Sequence, residues 1–249
     1  MAEVDSLRQF FRFAIILAAG LAMTACSQAP GDRNSVETAQ AALLIPASEP
    51  SDWVSYGDHV LVVTVSEERE LPDTQVASRH EGLIMRDLRL TVREVLWSRA
   101  GADAAPQTMQ ATASGWIVRK GKRTAFTSEG MPRLEVGSTY ITAVYRDHTD
   151  KGGDGWSSFS TIPYEQQQIG KGDNSGGKLM AQGVLSKTAG QPAAAISQLL
   201  STTSPDPISI KYSGLDGPER YRATMAEKFP VAVPRTQGPI TVTIPTAAP

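Results

Sequence analysis

The segment from Gly170 to Lys178 concentrates residue types that catalyse reactions or bind phosphate. Its glycines and Lys178 have the spacing of a phosphate-binding loop, but Leu179 stands where a hydroxyl would hold magnesium. Ser175 and Lys178 have the spacing of a nucleophile and its base on one helix face. The two adjacent glycines between them disfavour that helix. We therefore interpret the segment as a mobile loop.

Histidines, the usual general bases and zinc ligands, are few in this sequence. His59, His80 and His148 are scattered, and none belongs to a His-Glu-x-x-His or Cys/His cluster. His59 follows Asp58 at the start of an apolar strand, where a hydrogen-bonded structural histidine is the expected role. We predict no catalytic residue from these positions.

A run of carboxylates offers one alternative metal site. Asp147, Asp150 and Asp154 could supply oxygen ligands to calcium, but their spacing is not that of an EF-hand and Lys151 lies among them. We interpret this run as a solvated hairpin loop. The sequence therefore predicts neither a metal nor a cofactor.

Aromatic and basic side chains are the best candidates for a binding surface. Flat rings offer a large contact area at a small entropic cost, and Trp156 and Tyr145 belong to predicted strands. Arg119 and Lys122 lie at the tip of a predicted hairpin, which would suit an acidic partner or membrane headgroups. We predict a binding surface that contains Trp156, Tyr145, Arg119 and Lys122. The alternatives are a core position for the aromatic residues and a solvated turn for the basic ones.

Cys26 is the only cysteine, so the chain has no internal disulfide. Before it come Arg8 and Arg12 and then the uncharged run 13–25. This order is typical of an export signal, and the run is too short to span a bilayer comfortably. Residues 23–26, Met-Thr-Ala-Cys, resemble the lipobox of bacterial lipoproteins. That resemblance implies a diacylglyceryl group on Cys26 and cleavage just before it.

Charge and the implied lipid anchor limit the expected partners. Residues 1–25 hold two basic and two acidic side chains, so the rest of the chain keeps the net charge of −2. This overall balance gives no electrostatic reason to expect binding to nucleic acid or to an anionic bilayer surface. We expect the protein on the extracytoplasmic face of the cell membrane, held by lipid and in contact with an envelope protein or polysaccharide.

Hydrophobic patterning divides the chain into four parts. We predict a signal peptide at 1–25, a flexible tether at 26–50, a β-barrel-like domain with a C-terminal helix at 51–204 and a proline-rich segment with a short helix at 205–249. The predicted strands are 60–65, 88–92, 116–119, 122–126, 139–145, 156–162 and 179–185. The predicted helices are 191–200 and 218–228. The fold class is mainly β: a small antiparallel OB-like barrel with one or two peripheral helices.

The order of these elements supports a second resemblance. A valine-rich strand is followed by a long strand ending at Val92–Trp97, then by Leu134–Gly137 before a tyrosine-containing strand. Residues 51–185 thereby resemble uncharacterised exported proteins of actinobacteria and, more distantly, OB-type barrels. The resemblance implies binding through one face of the barrel.

Three functions fit this sequence. The first is a membrane-anchored binding or interaction module of the cell envelope, which needs only an anchor, a linker and a compact β domain. The second is an inhibitor or accessory subunit of an exported enzyme. The third is an envelope hydrolase, which needs convergent carboxylates or a nucleophile beside its base, and no such group is recognisable in the sequence. We expect the first.

Overall fold

A computed structural model describes residues 36–39, 44–71, 80–148, 155–174 and 177–230, all within the compact unit Ser35–Pro249. The strands in these residues are β1 Glu37–Ala39, β2 His59–Glu70, β3 Gly82–Ser98, β4 Thr108–Arg119, β5 Lys122–Ser128, β6 Thr139–Asp147, β7 Gly155–Glu165 and β8 Gln168–Ile169. The helices are α1 Pro50–Tyr56, α2 Gln182–Thr188, α3 Ala194–Thr202, α4 Pro207–Lys211 and α5 Gly217–Lys228. The prediction of a mainly β fold is confirmed.

All eight strands form one sheet in the order β1-β5-β4-β3-β2-β6-β7-β8. β1 pairs parallel to β5, whereas the other neighbours are antiparallel. The sheet is therefore mixed and open, which corrects the prediction of a purely antiparallel one. β1 was missed because its three residues carry no alternating apolar pattern and follow a polar stretch typical of a tether.

The sheet packs on both faces because β2 is apolar on both. Val60 and Val62 lie in a first core with the helices, and Leu61, Val63 and Val65 lie in a second core with β3 and β4. β4 also contacts β7. The sheet therefore curls around the second core while the helices cover part of its other face.

The helices correct the predicted arrangement in two ways. Residues 179–185, predicted as a strand, run into α2 instead, because Ala181, Val184 and Thr188 are buried at helical spacing. α1 and α4 are additional helices of seven and five residues, too short to show a helical period. The described residues thus hold five helices rather than one or two.

Predicted helices 191–200 and 218–228 are confirmed as α3 and α5. The Asp216 side chain caps α5 by accepting a hydrogen bond from the Glu219 backbone N–H at 3.0 Å, and Pro218 occupies the first turn. The local signals of a cap and a proline therefore located this helix correctly.

The folded unit extends beyond the predicted boundaries of 51 and 204. Ile45 and Ala47, placed in the tether by the sequence, are buried in the first core. At the other end, α5 buries Arg220 against α1. Residues 1–35, with the predicted signal peptide and Cys26, and residues 231–249 lie outside the described part. No described helix has the length and hydropathy needed to cross a membrane.

Candidate functional site

Asp58, in the turn between α1 and β2, is the centre of a buried ion network. Its Oδ1 accepts hydrogen bonds from Arg99 at 2.8 Å and Arg220 at 3.1 Å, and its Oδ2 accepts one from the Arg146 backbone N–H at 2.8 Å. Burial opposes ionisation of Asp58, but the Arg146 N–H and the two guanidinium groups outweigh it and lower its pKa. The carboxylate is therefore ionised and joins α5 to the sheet.

His59, the next residue, has both ring nitrogens occupied. Its Nε2 donates to the Asp103 carbonyl oxygen at 2.9 Å, which can only accept, and in the neutral ring Nδ1 accepts from the Ser98 hydroxyl at 2.8 Å. Burial lowers the pKa of His59. A buried, neutral and fully paired ring is the structural histidine that the sequence predicted.

Trp156 and Tyr145 lie on opposite faces of the sheet. The Trp156 ring lies 4.9 Å from the His59 ring and 5.4 Å from the Arg146 guanidinium, beside the second core. Tyr145 is 9% exposed and packs on Phe159 in the first core, at 6.2 Å between ring centroids. Tyr145 therefore presents little surface to a ligand, and the two rings do not form one platform.

Arg119 and Lys122 pair across the β4–β5 hairpin, as the sequence predicted. Lys120 and Gly121 form its two-residue turn with φ of 49° and 76°, the left-handed values that a type I′ hairpin requires. Arg119 donates to both carboxylate oxygens of Glu37 in β1, at 2.6 and 2.7 Å. The hairpin tip is thus joined to the strand that the N-terminal segment supplies.

The four predicted surface residues occupy three separate places. The hairpin tip lies at the Gly82 end of β3, because Gly82 pairs with Val118 of β4. Trp156 lies at the other end, where Ser98 pairs with His59. The structure therefore brings Arg119 and Lys122 together but separates them from Trp156 and from Tyr145.

A groove of about 660 Å³ crosses β2, β3 and β4. Two cross-strand ion pairs line it, Arg69 with Asp87 at 2.8 Å and Arg89 with Glu67 at 3.4 Å. Thr108, Met109 and Gln110 complete the β4 side. This groove could not be predicted from the sequence, because alternating charges along a strand are also the pattern of an ordinary solvated face.

Trp116 is surrounded by three arginines, a group we name the arginine–tryptophan cluster: Arg86, Trp116, Arg123 and Arg133. The guanidinium carbons lie 4.2 Å (Arg123), 5.3 Å (Arg133) and 5.9 Å (Arg86) from the ring centroid. Such distances permit attraction between the cations and the π-face of the indole. Trp116 is half-buried, and its environment is cationic rather than apolar.

Two arginines of this cluster are buried and almost fully paired. Arg86 donates from Nε to the Ser114 carbonyl and from Nη1 to Glu68, both at 2.7 Å, while its Nη2 has no hydrogen-bond partner among the described residues. Arg133 donates from Nε to Glu135 at 2.7 Å. Burial, and next the charge of Arg86, lower the pKa of Arg133. The cluster therefore links β2, β3, β4 and the loop after β5 at one end of the sheet.

The other residues that could act in catalysis or metal binding do not form a site in the part of the chain that is described. No three His, Cys, Asp or Glu side chains there are grouped to hold a metal ion. Ser175 of the glycine-rich segment and Asp150 and Asp154 of the acidic run lie outside the described ranges.

A scan against protein-family models gives no match, and searches of curated proteins and of solved structures give none either.

Proposed function

We propose that this chain is an exported lipoprotein, anchored by lipid on Cys26 at the extracytoplasmic face of the cell membrane, whose β domain binds an envelope protein or polysaccharide. The observation that carries the proposal is the order of signals at the N-terminus: Arg8 and Arg12, an uncharged run, small residues and the only cysteine. Two acyl chains are enough for stable anchoring, because each buried methylene contributes about 0.8 kcal/mol.

The groove across β2, β3 and β4 supports the binding part of this proposal. It is a polar recess on the sheet, and its ion pairs present both signs of charge to a ligand. Arg69 and Arg89 are 75% and 53% exposed, so each could exchange its carboxylate partner for a ligand group at small cost. Hydroxyl-rich or mixed-charge ligands fit such a lining.

The OB-like barrel is proposed as the finer description of the fold. The contact between β4 and β7 and the curl of the sheet around the second core support it. The open strand order, with β1 and β8 at the edges, differs from a closed barrel. Binding through one face of the sheet would suit either geometry.

Radiolabelled palmitate tests the anchor in a bacterial host that expresses the full chain. Wild-type protein should take up label, and Cys26→Ser should take up none while reaching a comparable level of expression. Wild-type protein that stays unlabelled beside a labelled control lipoprotein would overturn the proposal. Crosslinking in intact cells then tests binding, with Arg69→Glu and Arg89→Glu expected to lose envelope adducts that Lys187→Glu retains.

A further inference from the structure

We infer that the β4–β5 hairpin tip, residues 119–123, faces the membrane and binds anionic lipid headgroups. This inference rests on the proposed lipid anchor and names the surface of the domain that meets the bilayer. Two independent features point to it: the direction in which the chain enters the sheet, and the charges that the tip leaves exposed.

The direction of β1 places the upstream chain at the tip. β1 runs parallel to β5, with Glu37 opposite Phe126 and Ala39 opposite Ser128. β5 begins at Lys122, immediately after the turn. The N-terminal end of β1 therefore faces the hairpin tip, and Arg119 Nη1 holds Glu37 beside the tip by donating to both of its carboxylate oxygens.

The chain between the anchor and β1 is short. Residues 27–36 separate Cys26 from Glu37. A fully extended chain covers at most about 3.6 Å per residue, so Glu37 lies within about 40 Å of the anchored cysteine. The length of β3 alone, with 17 residues, equals or exceeds this distance. The tip is therefore the near end of the domain, and the Ser98 end of β3 is the far one.

The tip exposes ammonium groups toward that near side. Arg119 and Arg123 pair with Glu37 and Glu70, whereas Lys120 and Lys122 are exposed and form no ion pair among the described residues. The Gly121 N–H donates to the His80 carbonyl oxygen at 3.1 Å, which brings Glu81, the residue before β3, alongside the tip. Among the described residues, the one carboxylate of Glu81 stands against two lysines without an ion pair, so this part of the tip carries a net positive charge.

Lysines held near an anionic bilayer bind its phosphates as point charges. Each contributes about fivefold to membrane affinity at low ionic strength, and the effect declines with salt. The anchor already holds the domain at the surface, so this contribution orients the domain rather than recruiting it. The groove across β2–β4 would then sit above a membrane-facing tip.

Lysine acylation in vesicles tests the inference. Full-length protein purified from membranes is reconstituted into phosphatidylcholine vesicles, with or without an equal part of phosphatidylglycerol, and treated briefly with an amine-acylating reagent. Mass spectrometry should show Lys120 and Lys122 acylated several-fold more slowly in the anionic vesicles, with high salt removing the difference. Lys187, exposed on α2, should react equally in both.

Equal rates at Lys120 and Lys122 in the two vesicles would overturn the inference, as would protection that is independent of lipid charge. Glu37→Lys frees Arg119 and adds a positive charge at the tip, so it should increase the protection of Lys120 and Lys122 in the anionic vesicles. Intact mass is read first: protein without a diacylglyceryl group contradicts the proposed function alone. In that case the full chain is coupled through Cys26 to a maleimide lipid, and the same lysine comparison decides the inference separately.

Discussion

At the scale of single residues, Asp58 connects three parts of the fold. Arg99 follows β3, Arg146 belongs to β6 and Arg220 belongs to α5, and all three donate to this one buried carboxylate. Two guanidinium groups left beside a neutral side chain would be buried without full compensation of their charge. The network therefore has large consequences for stability although it offers no site to a ligand.

Asp58→Asn should destabilise the protein by about 3–5 kcal/mol, because it keeps the shape but removes the charge that Arg220 and Arg99 share. Urea unfolding followed by tryptophan fluorescence measures the change. The matched control is Asp87→Asn, which breaks an ion pair with the 75%-exposed Arg69 and should cost about 1 kcal/mol or less. Similar losses in both variants would contradict the role assigned to Asp58.

His59 should make stability depend on pH in the weakly acidic range. Its pKa is lowered in the folded state, so below about pH 6.5 the unfolded chain binds the proton more readily and stability falls. Unfolding midpoints between about pH 7 and pH 5 measure this slope. His59→Gln should flatten it, and a variant that keeps the full wild-type slope would show that another group titrates.

At the scale of elements, β3 and β4 meet at a point where only glycine fits. A Cβ on Gly115 would lie 2.2 Å from the Ile84 carbonyl oxygen and 3.1 Å from Cγ of Arg86. The close approach of the two strands lets the Arg86 side chain run beneath Trp116 to Glu68. Packing of the arginine–tryptophan cluster therefore depends on this backbone contact.

Gly115→Ala should lower the free energy of unfolding by about 1–3 kcal/mol, since the added methyl group forces the strands apart. Thermal unfolding monitored by circular dichroism gives the comparison. Gly214→Ala is the control, because a Cβ there meets nothing within 4 Å. Equal melting temperatures for Gly115→Ala and wild-type protein would show that the strands have room at this position.

At the scale of the whole molecule, local patterns and long-range packing differed in how far they could be predicted. The β-branched run 60–65, the alternation at 88–92 and the Lys120–Gly121 turn located β2, β3 and the β4–β5 hairpin correctly. The parallel pairing of β1 depends on a partner some ninety residues away, which no local pattern encodes. Helix α2 was mistaken for a strand because short apolar runs fit both periods.

The candidate site was harder to predict than the strands. Burial of Arg86 and Arg133 follows from how β2, β4 and the loop after β5 converge, and an arginine in sequence ordinarily indicates surface. Tyr145 and Trp156 fall on opposite faces, although both sit in correctly predicted strands. The sequence pattern therefore predicted where the strands lie along the chain, but it did not predict which side chains share a surface.

The measurement that tests the central proposal most directly is intact mass combined with membrane fractionation of wild-type protein and Cys26→Ser. Wild-type protein should begin at Cys26, carry a diacylglyceryl mass and sediment with membranes. Cys26→Ser should lack that mass and should not carry the processed N-terminus. Wild-type protein that is unmodified and recovered in the soluble cytosolic fraction would contradict the account, because neither the anchor nor the extracytoplasmic location would then hold.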